Sequence, residues 1–153
     1  MQTLFEYNWQ VRNEWFEWCK QVPENELRAE RTGGVGSIIR TLYHVVDVEY
    51  SWIQLLQGKP DIKEAYDRYD TLQKVIDLSN EFHPEVEAYI RSWSSQMENE
   101  LDHRFNKYKK GEVLRHIIAH EIHHIGQLSI WSRELGKKPV SASLIDRGLV
   151  ISN

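Results

Sequence analysis

The sequence is poor in several features whose scarcity narrows the class of protein. It has one cysteine, Cys19, in 153 residues, which excludes an internal disulfide framework and fits a reducing compartment. No apolar run approaches the ~20 residues that span a bilayer. Residues 1–13 include Glu6 and Arg12, so they lack the uninterrupted apolar stretch of a signal peptide. We therefore expect a soluble, cytoplasmic protein with no membrane partner.

A large excess of positive charge is also missing. The chain has 19 Lys and Arg against 23 Asp and Glu, a net charge of -4. Proteins that bind nucleic acid cluster basic side chains against phosphates, so we expect no nucleic-acid partner. Hydrophobic residues make up 41% of the chain, with 6 Trp and 7 Tyr. This is ample material for a core, and the length fits one domain over residues 1–153.

Apolar residues recur at helical spacing in four long segments, and no segment shows the alternation of a strand. Ser37 is a predicted N-cap, Asp70 and Gln73 have capping-box spacing, and Pro84 should kink or interrupt the third helix. The predicted helices cover residues 4–22, 38–56, 72–93 and 111–135. Four amphipathic helices favour an all-α four-helix bundle, followed here by a short irregular C-terminal tail.

The fourth predicted helix holds four of the seven histidines. At ~100° per residue, His120 and His124 lie on one face, which they share with apolar side chains, so both point inward. A lone inward histidine is usually a hydrogen-bonded core residue. Two adjacent imidazoles on an apolar face leave several nitrogens without partners, and a bound metal satisfies them together. This pair therefore favours a metal site.

Four further side chains bear on that site. His44 flanks the apolar stripe of the second helix and is the candidate third ligand, because facing helices of a bundle deliver ligands into the core. Glu49 lies near the middle of the same stripe, and either a ligand histidine or a buried Trp or Tyr would serve as its partner. His116 and His123 lie beside the stripe, as groups that support a ligand or face the surface.

The segment HEIHH at 120–124 also matches the His-Glu-x-x-His pattern of zinc peptidases, in which the glutamate is the general base. On this alternative Glu121 activates water. No downstream histidine follows as a third ligand, Glu134 is too close, and no sheet edge is predicted to hold an extended peptide. The peptidase is therefore the weaker interpretation.

Two blocks of the sequence resemble the DinB family of bacterial metal-binding four-helix bundles. They are GSI at 36–38 leading into LYH at 42–44, and HEIHHIGQ at 120–127. The resemblance covers nearly the whole chain. It implies an up-down-down-up bundle, often a homodimer, with a metal site made by His44, His120 and His124. The chain departs from the family at Ile125, where an arginine is frequent, which puts any role of a basic group there in doubt.

The resemblance also implies a type of chemistry, because enzymes of the wider superfamily use a metal to activate a low-molecular-weight thiol. Our first hypothesis is a metal-dependent thiol S-transferase with a divalent zinc, nickel or iron ion, which imidazole ligands suit alike. The alternative is a stress-related metal-binding module without turnover. Cys19 lies among aromatic residues and is expected to be a buried core residue, not the reactive thiol.

Overall fold

The structure is a computed structural model that describes residues 1–61 and 65–149. In these residues the chain forms five α-helices: α1 Gln2–Cys19, α2 Glu24–Arg28, α3 Ile38–Gln57, α4 Leu72–Arg91 and α5 Lys110–Glu134. Short 3-10 turns occur at Tyr66–Arg68 and Ser95–Asn99. The β-structure of the described part is limited to an isolated bridge between Leu101 and Lys109. The predicted all-helical class is therefore confirmed.

The ends of α3 follow the sequence signals closely. Ser37 is extended, and its side-chain oxygen accepts a hydrogen bond from the backbone N–H of Arg40 at 3.2 Å, which satisfies one of the free amides of the first turn. Gly58 ends the helix in the left-handed conformation, with φ at 72°. These two caps fix the length of the helix that carries His44.

Three details of the predicted helices are wrong. The first helix ends at Cys19, and a short α2 that was not predicted begins after Pro23 and buries Leu27. The N-cap of α4 is Thr71, whose hydroxyl accepts from Lys74 N–H; Asp70 lies one residue outside. Pro84 lies inside a continuous α4.

The helix continues through Pro84 because both of its halves are anchored in the core. Phe82 and Val86, on either side of the proline, are buried. Proline removes one N–H donor from the ladder and crowds the preceding turn. Burial of the flanking apolar side chains offsets this loss, so tertiary packing overrides the local breaker.

The four long helices share one hydrophobic core. α3 packs against both α4 and α5, and α1 packs against the same two helices. Fully buried side chains come from each of them, including Phe5 and Trp15 of α1, Ile53 of α3 and Leu114 of α5. The contact between α3 and α5 brings together the helices that carry the predicted ligands.

The segment between α4 and α5 is organised by one side chain. The Asp102 carboxylate accepts hydrogen bonds from the backbone N–H groups of five residues, 104–108. Burial by itself raises the pKa of Asp102, but these bonds lower it well below its usual value. The turn delivers the chain to Lys110, where α5 begins, and so sets the start of the histidine-bearing helix.

The tail is irregular, as predicted, and lies over α1. Tyr7 Oη donates to Ala142 O at 2.8 Å, and Trp18 Nε1 donates to Lys138 O at 3.0 Å. The last part of the predicted tail, 150–153, lies outside the described residues. Among the helices that the structure describes, none combines the length and apolar character needed to cross a membrane.

Candidate metal centre

Three imidazole nitrogens from two helices converge at the contact between α3 and α5. Nε2 of His120 lies 3.1 Å from Nε2 of His44 and 3.2 Å from Nε2 of His124, and all three residues form one group able to hold a metal ion. Ligands at ~2.0–2.1 Å from a tetrahedral zinc are separated from each other by about 3.3 Å. The observed spacing is close to this value.

Three neutral imidazoles cannot give both of these contacts a full hydrogen bond. Nδ1 of His124 donates to Gln127 Oε1 at 2.7 Å, so Nε2 of His124 carries a lone pair in the neutral ring. Nε2 of His120 has a single proton or a single lone pair for both of its neighbours. At most one of its two contacts is therefore a full, linear hydrogen bond, whereas a cation between the nitrogens would accept all three lone pairs together.

Protonation of the rings is opposed by the surroundings. Burial, followed by the charges of His124 and His44, lowers the pKa of His120 to about 4. Burial also lowers the pKa of His44 and of His124; the nearby charge of Arg40 acts in the same direction on His44. Neutral imidazole is the form that ligates metals, so the donor set fits a divalent transition metal.

Comparison with known proteins places the chain in a family. The model of the DinB family matches residues 1–147. The chain belongs to the DinB family. It is also 52% identical over 153 residues to "Uncharacterized protein YizA" of Bacillus subtilis (strain 168), an alignment that covers 97% of this chain and 96% of the relative. The family predicted from the two sequence blocks is thus confirmed.

Gln127, to which the sequence analysis assigned no role, holds the ring of His124. Its amide oxygen accepts from His124 Nδ1, and its amide nitrogen donates to His123 Nε2 at 3.0 Å. A partner on Nδ1 fixes the tautomer and orientation of a ligating histidine. The sequence feature that could have indicated this role is its position, one turn after His123 and three residues after His124.

The remaining histidines of α5 surround the three-histidine cluster without joining it. His116 and His123 are exposed, as their predicted positions beside the apolar stripe require. The ring of His116 stands edge-on to Trp52, with ring centroids 5.5 Å apart, and His123 contacts Gln127. His123 is therefore linked to His124 through Gln127, whereas His116 lies beside the ring of His120, with ring centroids 5.9 Å apart, and belongs to none of the described hydrogen bonds of the cluster.

Beneath the cluster, a buried ion-pair network joins α1, α3 and α5. Arg12 donates from Nε and Nη2 to the two oxygens of Glu121, at 2.8 and 2.6 Å, and from Nη1 to Glu49 at 2.8 Å. Trp9 Nε1 donates to the other oxygen of Glu49 at 2.8 Å. Burial by itself lowers the pKa of Arg12, but the two carboxylates raise it, so the guanidinium stays charged.

This network answers the question left open for Glu49. Of the two partners considered, a tryptophan is correct, although Trp9 is only partly buried; a ligand histidine is not among the described hydrogen bonds of Glu49. Arg12 lies among the buried residues of α1, and the sequence analysis assigned it no ionic role. The sequence feature that indicates this network is one basic and two acidic residues on the apolar faces of three helices, because buried charged side chains are paired with opposite charges.

The same network argues against the peptidase. Glu121 is 2% exposed, and both of its carboxylate oxygens are bound by Arg12. A general base has to reach the water that it deprotonates. Glu121 is directed into the core between the helices, so the His-Glu-x-x-His match is a coincidence of spacing in this DinB chain.

Cys19 is a core residue, as expected. Its side chain is fully buried at the end of α1. Burial, with a smaller contribution from the charge of Glu24, raises the pKa of the thiol to about 12. A thiol in this state is not a nucleophile near neutral pH.

Proposed function

We propose that this DinB protein binds one divalent transition metal through His44, His120 and His124 and acts as a thiol S-transferase. The observation that supports metal binding most directly is the pair of contacts at His120 Nε2, which three neutral imidazoles cannot both form as full hydrogen bonds. Zinc, nickel and iron all suit three imidazoles. A metal with three protein ligands keeps a position for a further ligand and lowers the pKa of a thiol bound there.

The residues around the cluster have separate tasks in this proposal. Gln127 keeps the proton of His124 on Nδ1, so that Nε2 is free to ligate. Arg12 fixes α3 and α5 relative to each other through Glu49 and Glu121. His44 is half-buried and lines an open hollow, so the substrate reaches the metal from that side.

Metal binding is tested with untagged protein, by elemental analysis as purified and then by titration of the metal-free protein with Co²⁺. We expect one equivalent of Co²⁺ with a visible spectrum typical of imidazole ligands. His120→Ala should bind Co²⁺ more than about 100-fold more weakly. His116→Ala is the matched control, on the same helix but outside the cluster, and should bind normally. Equal binding by both variants would refute the site.

The thiol reaction is tested on the Co²⁺-loaded protein. Addition of 2-mercaptoethanol should produce a sulfur-to-cobalt charge-transfer band, because the proposal requires the thiol to enter the metal's coordination sphere. An unchanged spectrum in a protein that binds Co²⁺ stoichiometrically would rule out the transferase. It would favour the alternative, a metal-binding module without turnover.

A further inference from the structure

A hollow of about 550 Å³ opens beside the candidate metal centre. One wall is the glycine-containing loop before α3, and the other is formed by the start of α3 and the turn at Tyr66. A Cβ added at Gly33 or Gly36 would meet no atom within 4 Å, so the loop side is open. His44 lines the same hollow, and a molecule inside it therefore lies against one of the three histidines.

The charged side chains in the described lining of this hollow are of one sign. Its described lining includes Arg31 and Arg40 and no carboxylate. Arg31 is largely buried and is partly neutralised by Glu26 at 3.1 Å and Glu134 at 3.8 Å. Arg40 is exposed, and among the described residues no carboxylate forms an ion pair with it. The hollow thus presents an uncompensated guanidinium to solvent.

Arg40 is held at the hollow and close to the histidine cluster. It precedes His44 by one turn of α3, so the two side chains lie on the same face of the helix. Its guanidinium carbon is 5.0 Å from the centre of the Tyr66 ring, a distance at which cation and ring attract each other. The guanidinium is therefore oriented by Tyr66 while its N–H groups remain available.

We propose that the hollow binds the anionic end of the substrate, a small thiol that carries a carboxylate, with Arg40 as the contact residue. Arg31 adds positive charge from the wall. The fork of a guanidinium matches a carboxylate in a bidentate hydrogen bond. The sulfur of a short thiol held in this way lies on the His44 side of the hollow. This inference rests on the proposed function, since it assigns the substrate class of the same site.

The test measures the affinity of two thiols for the Co²⁺-loaded protein from the charge-transfer band that each produces. The probes are 3-mercaptopropionate, which carries a carboxylate, and 2-mercaptoethanol, which is neutral. We expect the wild type to bind 3-mercaptopropionate about tenfold more tightly. Arg40→Gln should remove this preference, because only 3-mercaptopropionate has the carboxylate that Arg40 contacts. Arg91→Gln on α4, another exposed arginine, is the matched control and should keep the preference.

The outcomes separate the inference from the function on which it rests. If both thiols give the band with equal affinity, or if Arg40→Gln keeps the preference, the carboxylate contact is wrong and the thiol chemistry stands. If neither thiol changes the spectrum of the Co²⁺-loaded protein, the thiol function fails and the substrate assignment fails with it. Loss of the preference in Arg91→Gln as well would show a general charge effect and would also overturn the role of Arg40.

Discussion

Gln127 and His124 are joined by a 2.7 Å hydrogen bond between the amide oxygen and Nδ1. The bond lies on the far side of the imidazole ring from the three-nitrogen cluster. Because it holds the only proton of the neutral ring, it decides which nitrogen of His124 faces His120. A residue that contacts no other member of the cluster thus controls the electron pair that the site requires.

Replacing Gln127 should therefore weaken metal binding without removing a ligand. Gln127→Leu should lower the affinity for Co²⁺ about 10- to 100-fold, the usual effect of losing a partner behind a ligating histidine. Gln127→Glu keeps an acceptor for Nδ1–H and should retain most of the affinity. Titration of both variants with Co²⁺ distinguishes them, and equal affinities would show that the hydrogen bond has no such role.

The loop before α3 should be sensitive at one glycine and tolerant at its neighbour. A Cβ on Gly34 would lie 2.5 Å from Gln127 Oε1, whereas one on Gly33 meets nothing within 4 Å. Both residues have positive φ, at 56° and 88°, so alanine should cost each variant about 1 kcal/mol of stability. Gly34→Ala should in addition displace Gln127 and weaken Co²⁺ binding about tenfold.

The measurements for this pair are thermal unfolding and Co²⁺ titration. Similar losses of stability, with a loss of affinity confined to Gly34→Ala, would support the contact with Gln127. Weakened binding in Gly33→Ala to the same extent would contradict it, since that variant shares the backbone strain and lacks the clash.

Removing the guanidinium beneath the cluster should destabilise the whole fold. Arg12→Met leaves Glu49 and Glu121 buried without their cation, and breaking a buried pair in this way costs about 3–5 kcal/mol. Urea unfolding monitored by tryptophan fluorescence measures the difference. Lys20→Met removes an exposed partner of Glu17 and should change the unfolding free energy by less than about 1 kcal/mol. Equal losses of unfolding free energy in the two variants would mean that burial of the Arg12 network does not add to stability.

Glu85 should make stability depend on pH in the acid range. Partial burial by itself raises its pKa, but hydrogen bonds from Lys59 and Tyr50 outweigh this effect and lower the pKa to about 2 from 4.5. Between these values the unfolded chain binds a proton that the folded chain does not. Ionised Glu85 therefore stabilises the fold above pH 4.5, and the contribution is lost as the pH falls toward 2.

The measurement is the difference in unfolding free energy between wild type and Glu85→Gln. The variant should be less stable at about pH 6, and the difference should shrink steadily on acidification through this range. Glu17→Gln, at an exposed site, should differ little from the wild type in unfolding free energy throughout this pH range. A difference for Glu85→Gln that stays constant with pH would mean that its ionisation does not stabilise the fold.

Much of the fold followed from local signals in the chain. The cap at Ser37 begins α3 as predicted, because it acts within one helical turn, and the left-handed Gly58 ends the helix equally locally. Pro84 was expected to kink or interrupt the helix, but α4 is continuous. The effect of proline on the backbone is local, whereas the burial of Phe82 and Val86 depends on other helices. The short α2 has too few residues to show a helical period, and packing of Leu27 decides it.

The sequence by itself determined the helical class, the family and the face on which His120 and His124 lie, because helix periodicity and cap chemistry involve residues within a few positions of each other. The tertiary structure decided which residues of different helices contact each other. It brought His44 against the α5 pair, turned Glu121 away from them onto Arg12, and opened the arginine-lined hollow beside the cluster. The first two of these relationships join residues 76 and 109 positions apart, and spacing along one helix carries no information about which face of another helix it meets.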